Sequence, residues 1–176
     1  RVFNGKLHTT LRLERRQCLI FAIDPTGMPD TTVELPSAPG DVVLALSGPW
    51  MAATPSGEAV CVPCPGDWSR VEGWETFAGT LRFTCEFPAS LGMCNEAQFL
   101  DLGAVGDSAE AFLNGERLGM RAWGPYIFPL GTAIREGINR LDVLVTNSLA
   151  NRYNGAQMPS GIIGPVVVRR AAPLGT

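Results

Sequence analysis

Residues 80–87 read TLRFTCEF, and the character of the side chain changes at every step. Leu81, Phe83, Cys85 and Phe87 are apolar, while Arg82, Thr84 and Glu86 between them are polar. Successive side chains of an extended chain point to opposite faces, so a period of two predicts a strand with one buried face. A helix would scatter the same residues around its circumference. Residues 140–147, RLDVLVTN, repeat the pattern through Leu141, Val143 and Val145. Between these runs, AEAFL leads into Asn114-Gly115, a pair that tolerates positive φ at both central positions of a type I′ turn. The stretch AEAFLNGERLG therefore predicts a hairpin.

Other short runs read the same way. LRLERRQCLIFAID, closed by the turn PTGMPD, predicts one or two strands, and TTVELP and DVVLAL two more. AQFLDLG, WGPYIFPL and the terminal GPVVVRR add candidates, with IREGIN as a turn before RLDVLVTN. Residues 48–79 carry Pro, Gly and Trp with little periodicity and predict a long irregular cover, with one strand around Ala59 to Val62. The 20 Gly and 14 Pro spread along the chain argue for many turns and few long helices. Eight or more short strands at turn-punctuated spacing predict an all-β fold, an antiparallel β-sandwich or jelly roll.

The 176 residues, 45% of them hydrophobic, suit one ordinary domain with some extra structure. A net charge of -3 offers no basic face, which argues against nucleic acid or an anionic membrane as partner. The longest apolar stretch, Cys18 to Ile23, has the length of a buried strand rather than of a membrane span. Five cysteines, an odd number, do not read as a disulfide framework, and N-x-Ser/Thr sequons are absent. Both features lean towards a reducing or bacterial setting, and the compartment stays open.

Catalytic chemistry has little to stand on. Hydrolysis of a glycoside normally needs two carboxylates about 5–10 Å apart across the scissile bond. Asp67, Glu72, Glu75, Glu86, Glu96, Asp101, Asp107, Glu110, Glu116, Glu136 and Asp142 fall mostly at turns or outward strand positions. They read as solvated carboxylates, with a structural Ca²⁺ site as the alternative and no other cofactor expected. Cys61-Val62-Pro63-Cys64 has zinc-ligand spacing, yet a structural zinc wants four ligands, and the single histidine, His8, lies far upstream. Ser160 sits in PSG rather than G-x-S-x-G, and Gly103 and Gly106 lack the phosphate-binding glycine pattern. No catalytic residue is expected within this chain.

Carbohydrate binding fits the composition of the connections better. Sugars are held by aromatic rings against their C–H faces and by planar polar groups on their hydroxyls. Trp50, Trp68, Trp74 and Trp123 fall mostly in loops, as do Tyr126 and Tyr153. The segment NSLANRYNG sets Asn147, Asn151, Arg152 and Asn154 after a strand. Trp123, Tyr126, Asn147, Asn151, Arg152 and Asn154 are accordingly the candidate sugar-binding residues. Each has a plainer reading. A Trp in a Gly/Pro loop also serves as a plug over the end of a sandwich. Asn147, Asn151 and Arg152 can instead tie their loop to the fold through side-chain-to-backbone hydrogen bonds.

The order of these pieces is more specific than any one of them. Trp74…FAGTLRFTCEFP, FLDLGAVGDSAEAFLNGERLG, YIFPLGTAIREGINRLDVLVTN and SGIIGPVVV together resemble the galactose-binding-like jelly-roll domains attached to glycoside hydrolases. The progression is similar to the family 2 sugar-binding domain. VTNSLANRYNGAQMPSGIIGPVVV is more closely similar to the C-terminal part of family 106 α-L-rhamnosidase-like enzymes. With LSGPW included, the resemblance covers roughly residues 46–170 and departs at Leu149, where the family's pattern has an aromatic. It implies a sandwich over residues 46–176, with 1–45 either the end of a preceding β domain or extra strands. It also implies catalytic carboxylates in a separate barrel, so the expected partners are that catalytic domain and a mono- or oligosaccharide. A purely structural docking domain without ligand is the alternative.

Overall fold

The computed structural model describes residues 2–3, 6–7, 39–96 and 99–172. Contacts along the chain divide it into two compact units, Arg1–Leu35 and Pro36–Thr176. In the first, β1 (Val2–Phe3) pairs antiparallel with β2 (Lys6–Leu7). The strands expected at 11–24 and 31–36 lie outside the described residues.

The second unit is a sandwich of antiparallel strands. Its chain begins with β3 (Pro39–Ala45), β4 (Trp50–Ala53) and β5 (Ala59–Val60), then crosses a 3₁₀ turn at Trp68–Arg70. After β6 (Thr80–Ala89) and the short helix α1 (Leu91–Glu96) come β7 (Phe99–Asp101), β8 (Ala104–Val105), β9 (Ser108–Leu113) and β10 (Glu116–Arg121). β11 (Ile127–Pro129), β12 (Gly137–Thr146), α2 (Ala150–Asn154), β13 (Ile162–Gly164) and β14 (Val167–Ala171) complete it. One sheet has the order β10-β9-β12-β6-β4-β5, the other β11-β7-β14-β3, and β13 pairs β8 in a small separate ribbon.

The alternation in TLRFTCEF holds. Leu81, Phe83, Cys85 and Phe87 are buried, and Arg82 and Glu86 are exposed. Thr84 breaks the pattern: it lies on the outer face yet is buried, its hydroxyl donating to Asp142 Oδ1 at 2.6 Å. The register stacks inward-facing residues in rows. Phe83 opposes Val143, which opposes Ala111; Cys85 opposes Leu141, which opposes Leu113. The Phe83 ring thus shares its row with the smaller Val143 and Ala111, a combination of sizes that suits close packing. Leu100, Leu102, Phe128, Leu130, Val166 and Val168 complete the core. Each such side chain contributes about 1.5–3 kcal/mol on burial.

The Asn-Gly hairpin also forms as expected. Asn114 and Gly115 have φ of 53° and 82°, joining β9 to β10. Asn114 does more than turn the chain: its amide donates to Ala133 O at 2.7 Å and Asn139 Oδ1 at 2.8 Å, and its Oδ1 accepts from Arg140 N. Asn139 is fully buried and also bonds both backbone groups of Arg135 and the Gly137 carbonyl. A buried amide is tolerated only when its donors and acceptor are used, and this one closes the turn before β12.

At the opposite edge of the second sheet, Pro39 of β3 faces Ala171 of β14, and Arg169 donates to Gly40 O at 3.0 Å and to Asp101 Oδ2 at 2.8 Å. The first and last strands of the unit are therefore neighbours.

These hubs predict separable costs. Nothing lies within 4 Å of a Cβ built on Gly115, so Gly115→Ala meets only left-handed strain, about 1 kcal/mol. Asn139→Ala strands several buried backbone groups and is expected to cost about 2–3 kcal/mol. Urea denaturation checks both; a larger loss from Gly115→Ala would mean the turn outweighs the amide hub.

Candidate functional site

The register aligns Arg121 with Ala109, Ala109 with Val145, and Val145 with Leu81. The connections that leave from this level make one rim of the sandwich: the β10–β11 turn, the β12–β13 segment with α2, the loop before β9, and residues 66–79. All six candidate sugar-binding residues belong to it. The fold uses them differently.

Three are committed to the chain itself. Tyr126 is buried, and its hydroxyl donates to the Asp107 carbonyl. The Asp107 carboxylate in turn accepts from the Ser148 amide, so one residue ties the β10–β11 turn to the segment after β12. Asn147 is buried; its Nδ2 donates to Phe77 O at 2.8 Å and Ser160 Oγ at 3.0 Å, and its Oδ1 accepts from Gly79 N at 2.9 Å. Asn151 is buried as well. It brackets Met158, donating to its carbonyl and accepting from its amide, and reaches Ser160 Oγ at 3.2 Å. These amides tie the loop to the sandwich.

The other three lie at the surface. Trp123 is 53% exposed in the β10–β11 turn. Arg152 and Asn154 are exposed on α2, and the Arg152 guanidinium carbon lies 5.9 Å from the centroid of the Tyr153 ring, itself 72% exposed. Leu149 and Met158 are exposed nearby in sequence. The rim thus presents two aromatic rings, a cation and an amide from a backbone pinned beneath them.

Asp67 and Ser160 form the centre of the pinning, and neither was among the residues singled out for binding. Asp67 Oδ1 accepts from Ser69 N, Ser69 Oγ and Ser160 N at 3.0, 2.6 and 2.9 Å, and Arg70 Nε stands 3.3 Å from Oδ2. The Asp-x-Ser spacing of a capped turn was the available signal. Backbone bonds reinforce the join, from Trp68 N to Ser160 O and from Gly106 N to Gly161 O. A Cβ on Gly106 would come within 2.3 Å of the Pro159 carbonyl, so only glycine permits that approach. Trp68, adjacent to Asp67, is the plug. It is fully buried, stacked on Phe83 at 5.9 Å and edge-on to Phe77 at 6.0 Å. Its Nε1 has no hydrogen-bond partner among the described residues, a cost of roughly 1–3 kcal/mol that the ring's burial offsets.

Asp67 and Asp142 stay ionised and Cys64 stays a thiol at neutral pH. Burial raises the Asp67 carboxyl, but the Ser69 hydroxyl, the Ser160 and Ser69 amides and the Arg70 charge outweigh it and hold the pKa below the usual range. Asp142 is held low in the same way: burial opposes, and Arg140, Thr84 and Arg82 prevail. Both shifts run opposite to what a general acid requires. Burial, helped by nearby Cys85, pushes the Cys64 thiol up to about 12, so it stays protonated while Cys61 is exposed. A metal-binding pair needs thiolates. Among the described residues no cluster of three His, Cys, Asp or Glu could hold an ion.

The architecture is an all-β sandwich with one polar, ring-bearing rim. No family model matches the chain. A protein of Formosa agariphila named as a candidate β-glucuronidase is 35% identical over 133 residues, 71% of this chain and 11% of that protein. The solved rhamnosidase from Novosphingobium sp. PP1Y superposes with a TM-score of 0.62 at 27% identity, over 73% of this chain and 15% of that one. A family 2 β-galacturonidase from Eisenbergiella tayi shares the fold, with a TM-score of 0.54 at 23% identity over 69% of this chain and 22% of that one. The chain is thus similar to a segment of glycoside hydrolases, and spans between 11% and 22% of their length.

Asp67 gives the rim a pH dependence. Its native pKa is depressed, so the stabilisation is complete above the unfolded value near 4 and is lost as pH falls through the native one. Chemical denaturation of Asp67→Asn against the parent sequence should show a stability gap that is full at neutral pH and closes with acidification. A gap independent of pH would mean the carboxylate's charge contributes nothing.

Proposed function

We propose that the chain is a non-catalytic, carbohydrate-associated module of a glycoside hydrolase resembling the family 106 α-L-rhamnosidases. It supports a catalytic domain carried elsewhere in the parent protein and binds sugar weakly at its rim. The observation that carries this reading is the likeness to the Novosphingobium rhamnosidase, which takes in 73% of this chain but 15% of that enzyme. The order of sequence motifs supports the same parentage. Rim chemistry supports the binding role: Trp123 is exposed beside a turn whose following residue, Tyr126, is locked to Asp107. A ring on an immobile backbone loses little entropy when a sugar stacks on it.

A second reading, a docking domain with no ligand, is favoured by one specific observation. Tyr126, Asn147 and Asn151, half of the candidate residues, spend their polar atoms on the fold. On that reading the exposed rim residues meet the neighbouring domain instead.

Calorimetric titration with rhamnose, galactose and plant oligosaccharides separates the two. The binding reading expects dissociation constants on the order of 1 mM, weakened at least about fivefold in Trp123→Ala with little change in melting temperature. Silence across the panel would leave the docking role.

A further inference from the structure

We infer that Arg152 and Tyr153 form a subsite for an acidic sugar, a hexuronate whose carboxylate meets the guanidinium while its C–H face lies on the phenol ring. This rests on the reading of the rim as sugar-facing, and adds the ligand's charge to it. Arg152 is the only charged residue between Asp142 and Arg169. It makes no ion pair with any described residue, as Arg82, Arg121 and Arg135 make none, whereas Arg70, Arg117, Arg140, Arg169 and Arg170 each meet a carboxylate. The segment carries no acid of its own, and the two carboxylates that touch it, Asp107 at the Ser148 amide and Asp67 at the Ser160 amide, are engaged with backbone N–H groups.

Its geometry suits a sugar rather than a bare ion. The guanidinium lies over one face of Tyr153, 5.9 Å from the ring centroid, and the ring is 72% exposed. A planar guanidinium takes a carboxylate through two parallel N–H donors, which an ammonium cannot reproduce. The adjacent ring supplies the apolar platform that a pyranose needs. Asn154 and Gln157, both exposed, add amides suited to hydroxyl groups. The backbone beneath is fixed. Arg152 N and Tyr153 N both donate to Leu149 O, at 3.1 and 3.0 Å, and Asn151 is fastened to Met158 and Ser160. The ordering cost on binding is therefore confined to the two side chains themselves.

The test compares methyl β-D-glucuronide with methyl β-D-glucoside by titration monitored through amide chemical shifts, at low ionic strength. The glucuronide is expected to bind about tenfold tighter. Arg152→Gln should reduce it to the level of the glucoside with no change in melting temperature, and Tyr153→Ala should weaken both. Equal affinities that still depend on Tyr153 would overturn the acidic preference and leave the sugar-facing rim standing. Silence from both ligands would overturn the two together. A preference surviving in Arg152→Gln, or sodium sulfate competing as well as the glucuronide, would also sink the assignment.

Discussion

Ten consecutive residue pairs join β12 to β6, from Gly137 opposite Ala89 to Thr146 opposite Thr80, and β9 flanks β12 on its other side. This central ladder sets the geometry of both the core and the rim. A slip by one residue would turn Leu141, Val143 and Val145 to solvent and bring Arg140, Asp142 and Leu144 inward. Because the register cannot slip cheaply, the level at which each strand ends is fixed. The rim exists because β6, β9, β10 and β12 terminate together there, and connections as different as a 3₁₀ turn and a five-residue helix emerge side by side.

What distinguishes the rim is how its polar atoms are divided. Ser160 receives the amides of both Asn147 and Asn151 and gives its own backbone N–H to Asp67. Buried groups of this kind must be saturated internally, since an unmatched one costs more than a matched one gains. Saturation beneath leaves a short, irregular segment stiff enough to hold its outer side chains in place. Connecting segments are ordinarily more mobile than the elements they join; here the irregularity is confined to sequence and does not extend to hydrogen bonding.

The sheets were legible because period two is a strong local signal: TLRFTCEF, RLDVLVTN and the Asn-Gly turn each specify their structure within a few residues. Thr84 escaped because its burial comes from Asp142, 58 positions away. The rim was legible in composition but not in role. An Asn in a loop reads the same whether it faces water or a serine hydroxyl, and only the tertiary approach of residues 66–70 to 158–162 distinguishes the two. Asp67 and Ser160, joined across 93 positions, carry no mark in sequence beyond a common turn pattern. The aromatic residues divided likewise: Trp68 and Trp123 both lie within two residues of a glycine, one sealed in the core and one at the surface.

The adjacency of β3 and β14 has a topological consequence. With Pro39 opposite Ala171, the polypeptide enters and leaves this sandwich through the same edge, a strand's width apart. Whatever precedes Pro39 and follows Ala171 is therefore held close together where it joins these two strands. The polar rim is formed by other strands, at one end of the layers.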